Sequence, residues 1–128
     1  MFTNTSVFSS YSVDDLEEAL DFYRKILELE VEETHEGLKI RFENGSTLFM
    51  YPKVDHAPAT FTVLNFVVAS IDDTVRLLSI KDIKFEKYDT KDIQTDDKGV
   101  FRGKASGNGP DVAWFKDPAG NIISIIEE

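Results

Sequence analysis

The feature that most constrains this chain is a repeat. Residues 13–20, Val-Asp-Asp-Leu-Glu-Glu-Ala-Leu, match residues 68–75, Val-Ala-Ser-Ile-Asp-Asp-Thr-Val, in character at an offset of 55 positions. The turn-bearing string Arg41-Phe42-Glu43-Asn44-Gly45-Ser46 is answered in the same way by Trp114-Phe115-Lys116-Asp117-Pro118-Ala119-Gly120. Each half reads as one strand, one helix and a small antiparallel sheet. Neither half holds enough apolar residues to bury a core of its own, so the two are expected to pack as one sheet system. A length of 128 residues suits a single domain of two modules, about 1–55 and about 60–128.

Taken in order, residues 5–12 read as a strand. The following segment is a helix: Leu16, Ala19, Leu20, Tyr23, Ile26 and Leu27 recur on one face at helical spacing. Asp14 is placed to cap its first turn, with Glu17 completing a capping box. Three short strands follow over residues 29–34, 38–42 and 47–51, the last two joined by the hairpin signal Asn44-Gly45. A connector over 52–58 carries His56, and residues 61–69 form the most apolar strand. A second helix starts near Ser70 with Ile71, Val75 and Leu78 facing inward, and residues 83–86 read as a further strand. Residues 88–109 are long, polar and glycine-rich, the signature of a functional or mobile loop that covers a pocket. The chain ends in a hairpin over 111–126, turning at Asp117-Pro118-Ala119-Gly120-Asn121.

Charge and composition narrow the partners. The formal net charge of −10 opposes binding to phosphate backbones or anionic lipid, so no nucleic acid and no membrane partner is expected. No apolar run approaches the roughly 20 residues that span a bilayer, and the first residues lack the basic region and apolar core of a signal peptide. The chain has no cysteine, which removes thiol chemistry and fits a cytoplasmic protein.

With the two helix openings and Trp114-Phe115-Lys116-Asp117-Pro118-Ala119-Gly120-Asn121 in view, the chain resembles the vicinal oxygen chelate superfamily of glyoxalase I, extradiol dioxygenases and bleomycin-resistance proteins. The resemblance runs through nearly the whole chain. It implies an α+β fold of two βαβββ modules forming a curled, mostly antiparallel sheet around a cavity, often in a homodimer. It also implies a divalent metal held by His, Glu or Gln at positions that correspond here to Phe8, Val63, Ser124 and a place near Met50. None of these side chains suits such an ion, and neither do the neighbours Val7, Ser9, Leu64, Ile123 and Ile125. The expectation is therefore no metal and no cofactor.

The candidate site follows from that substitution. A cavity lined by Phe8, Ser10, Met50, Tyr51, Val63, Asn65, Trp114 and Ser124 would take a small organic molecule. Asn65 is the most telling member, because an amide in the most apolar strand needs a partner, in a pocket or in a network. Trp114 suits either core or pocket. His35 reads as an exposed loop histidine, and His56 as a candidate base or ligand with no second histidine near it. Asp96 and Asp97 read as a solvated acidic surface. The expected function is metal-free binding of an organic ligand. The alternative is a lyase, isomerase or dioxygenase of the same superfamily.

Overall fold

The first strand, β1 (Ser9–Val13), begins four residues later than its apolar pattern suggests, because residues 1–8 are all exposed and make no ladder. A computed structural model describes residues 1–128 and divides into two compact units, Met1–Pro58 and Ala59–Glu128. In the first unit, β1 runs parallel to β4 (Thr47–Pro52), which pairs antiparallel with β3 (Leu38–Arg41), and β3 with β2 (Glu30–Glu33). The strand order is β1-β4-β3-β2.

Helix α1 (Leu16–Asp21) is capped by Asp15 rather than Asp14: Asp15 holds the extended backbone of a cap, and its Oδ1 accepts the Glu18 N–H at 3.1 Å. The helical period then breaks. A π-helical turn over Phe22–Ile26 inserts an extra residue, and Phe22 joins Tyr23 and Ala19 in the core, while Leu16, Leu20, Ile26 and Leu27 are half-buried. Tyr23 reaches the sheet through its hydroxyl, 2.7 Å from that of Tyr11. Alternation along the strands therefore turns Val13, Val31, Leu38, Ile40, Leu48 and Met50 toward the helix. Ser10, Ser12, Phe49 and Tyr51 lie on the other face.

The second unit repeats this topology. Strand β5 (Thr62–Val67) runs parallel to β8 (Ile122–Glu127), β8 pairs antiparallel with β7 (Asp111–Lys116), and β7 with β6 (Val100–Arg102). The order is β5-β8-β7-β6, the counterpart of the first sheet. Helix α2 (Ile71–Ile80) is capped by Ser70, whose Oγ accepts the Asp73 N–H, at the repeat position of Asp15. It packs on β7 and β8 with Ile71 and Val75 buried and Leu78 half-buried, over Ala113, Phe115, Ile123 and Ile125.

Two expectations are corrected here. Residues 83–86 form no strand: the Glu86 N–H bonds the Trp114 carbonyl at 2.8 Å, but no ladder follows. The segment 88–109 is no open loop, since it holds an Asp89–Gln94 bridge, strand β6 and a short helix α3 (Gly103–Ser106). Arg102 at the end of β6 donates to both carboxylate oxygens of Asp72, at 2.7 and 3.2 Å, and to Asp96 at 3.1 Å. Burial opposes ionisation of Asp96, but the N–H groups of Val100 and Lys98, with Arg102, outweigh it and hold the carboxyl below the usual carboxylate range.

Candidate functional site

The terminal hairpin supplies the best-built part of the site. Its turn is fixed by Asp117, 5% exposed, whose carboxylate accepts from the N–H groups of Ala119 and Asn121 and from the Asn121 side chain at 2.8–3.0 Å. That geometry sets the register of β7 on β8. Trp114 stands opposite Ser124, and Ser124 opposite Asn65 of β5. Three of the expected site residues thus form one row across three strands, on the face turned away from α2. Ser124 is fully buried and donates its hydroxyl to Asn65 Oδ1 at 2.5 Å. The amide in the apolar strand has its partner, and it is the other sequence oddity.

Trp114 is half-buried and meets Tyr88 edge-on, with ring centroids 5.3 Å apart. Together with Phe61, Thr62, Ile93 and Ile122 they line a pocket of about 360 Å³. Burial, and then the nearby Glu86 carboxylate, push the Tyr88 phenol above its ordinary pKa, so it stays a neutral donor there. Val63 sits at a register shift between Thr62 and Leu64 and has no opposite residue in β8.

The first unit places its expected residues less uniformly. Ser10 lies beside Phe49 on the face away from α1, and Tyr51 beside Ser12. The Phe49 and Tyr51 rings stack with centroids 6.4 Å apart, and Ser12 Oγ lies 2.7 Å from His56 Nδ1. Phe8 precedes β1 and is 64% exposed. Met50 is a correction: it has no exposed surface and belongs to the helix-facing core beside Leu38. The repeat gives the reason. Asn65 pairs with Ser124 as Ser10 pairs with Phe49, so Phe49 is the counterpart of Ser124. Sequence reasoning passed over Phe49, Phe61, Tyr88 and Ser12. The alternation of Leu48 and Met50 against Phe49 and Tyr51 carried the signal for the first, but those four strand residues are all apolar or aromatic, so it did not stand out.

The donor set does not fit a divalent metal. Phe8, Val63 and Phe49 offer no donor atom, Met50 is buried in the core, and the Ser124 hydroxyl is committed to Asn65. His56 faces Ser12, His35 is exposed in a turn, and no three His, Asp or Glu side chains converge anywhere in the chain.

A chain of two βαβββ units with matching four-stranded mixed sheets defines an α+β fold of two repeated modules. The chain belongs to the glyoxalase/bleomycin resistance protein/dioxygenase superfamily, whose family model matches residues 7–125. A solved glyoxalase family protein from Enterococcus faecalis is similar over 99% of this chain and 100% of its own, with 19% identity and a TM-score of 0.69. A genomically encoded fosfomycin resistance protein from Listeria monocytogenes is similar over 98% and 93%, with 11% identity and a TM-score of 0.68. An antibiotic binding protein from a Streptomyces species is similar over 98% of both chains, with 18% identity and a TM-score of 0.62. At these identities the likeness concerns the fold. No curated protein matches the chain. No helix is long and apolar enough to cross a membrane.

Proposed function

We propose that this protein binds a small organic molecule without a metal ion, as a single domain of two modules, and that it works as a cytoplasmic homodimer. The observation that carries the reading is the Ser124–Asn65 hydrogen bond: where enzymes of the superfamily keep a metal ligand, this chain has a buried hydroxyl satisfied by its neighbour. Beside it stands an aromatic pocket, and Trp114 and Tyr88 give it the apolar walls and one polar tip that ligand sites use. Asn65, exposed at the end of the row, supplies an amide donor. Val63 extends the ligand surface of the second unit in this reading, and Phe8, Ser10 and Tyr51, with Phe49 in place of Met50, form the corresponding surface of the first. The antibiotic binding protein among the solved structures of like fold supports an organic ligand.

Trp114 is the only tryptophan, so its emission reports the pocket directly. Titration with a panel of planar amphipathic compounds is expected to change Trp114 emission saturably, equally with and without EDTA, and Trp114→Leu is expected to weaken binding about tenfold. Binding that disappears with EDTA and returns with a divalent ion would overturn the reading.

A further inference from the structure

A second groove lies on the other side of the second sheet, beside α2. Its floor is apolar, formed by Val75 and Ile83, which are buried, and Phe85, which is half-buried, with Ile80 exposed at its lip. It encloses about 830 Å³, within the range of small-molecule sites. Its wall is built rather than loose. Gly99, at φ +87°, lets the turn over 96–99 press on Phe85, where a Cβ would come within 2.8 Å of the Phe85 Cβ. Asp96 Oδ1 fixes the same turn by accepting the N–H groups of Lys98 and Val100 at 2.9 Å.

The charge around this floor runs against that of the whole chain. The protein carries −10, yet Arg76, Lys84, Lys87 and Lys98 face three carboxylates, Asp72, Asp73 and Asp97. One of the three, Asp72, is held by the two Arg102 bonds. Arg76 reaches Asp73 only at 3.7 Å, and Lys84 and Lys87 have no ion-pair partner at all. Four cations over an apolar floor, on an otherwise acidic molecule, select for negative charge attached to a hydrophobic body.

We propose that this groove is a second binding site, specific for amphiphilic organic anions: an aliphatic or aromatic body on Val75, Ile83 and Phe85, with a carboxylate, sulfonate or phosphate head between Lys84, Lys87 and Arg76. The site rests on its own residues and does not depend on the Trp114 pocket. The test is a titration of the isotope-labelled full chain followed by amide NMR, using sodium octanoate, with octyltrimethylammonium and 1-octanol as controls. Octanoate is expected to shift the amides of residues 75–87 and 98 saturably, more weakly as salt is raised, while the cation leaves them unmoved. The double variant Lys84→Glu/Lys87→Glu, at two exposed positions, is expected to keep the native spectrum and lose about fivefold in affinity or more. Equal binding of octanoate and the cation, an unchanged affinity in the variant, or shifts confined to residues around Trp114 would overturn the proposal.

Discussion

Met50 has no exposed surface, with Leu38 and Tyr11 beside it in the ladder, so its role is decided by packing. Met50→Ala removes a buried side chain from a close-packed core and is expected to cost about 2–5 kcal/mol. Phe8→Ala, at a residue 64% exposed, should change stability by no more than about 0.5 kcal/mol. Urea midpoints of the two variants check this; a Met50→Ala protein as stable as the parent would return Met50 to the ligand surface. The same contrast shows what was legible at single positions. Asn65 and Ser124 each stood out as a polar residue among apolar ones, and they proved to be partners. Met50 did not stand out, because Leu48, Phe49, Met50 and Tyr51 read alike when each is apolar or aromatic. Only the pairing register distinguishes the core face from the other.

Both principal helical segments end on a residue with left-handed backbone that is not glycine, Glu28 at φ 58° and Asp82 at φ 65°. After α2 the chain closes as a Schellman motif, with Ile83 N–H on the Leu78 carbonyl at 3.1 Å and Asp82 N–H on that of Ser79 at 3.0 Å. A side chain at such a position is strained, and glycine is not. Asp82→Gly is expected to stabilise the fold by about 0.5–1 kcal/mol, read as a rise in melting temperature; a fall would show that the side chain makes a compensating contact. Helices α1 and α2 and seven of the eight strands were legible because their apolar residues recur at a regular period, whereas the π-helical turn at Phe22–Ile26 and the short α3 were not. Strand β6 was hidden inside a glycine-rich polar segment: it is three residues long, and its ladder is anchored by Arg102 through long-range contacts that periodicity does not register. The apolar run at 83–86 misled for the opposite reason. Ile83 is buried and Phe85 half-buried against helix and hairpin residues, which gives a strand-like pattern without a ladder.

At the scale of the molecule, the repeat accounts for both units having one strand order and one parallel pair each, and it was the most legible property of the chain. The same order leaves β1 and β5 terminal in their sheets, each with one side of its backbone outside the ladder. Exposed large apolar residues stand just before or in these strands: Phe8 before β1 is 64% exposed, Phe61 before β5 68%, and Val67 in β5 64%. Terminal strands that carry exposed apolar side chains are ready-made association surfaces unless charge or proline blunts them. Neither β1 nor β5 contains a charged residue or a proline. Light scattering at micromolar concentration is therefore expected to give twice the chain mass. Val67→Lys places a charge on β5 without touching the buried core, and it should shift that equilibrium toward the monomer while far-ultraviolet circular dichroism stays native. A parent protein that remains monomeric at high concentration would mean that these strands are covered in some other way, and the homodimer would fall with it.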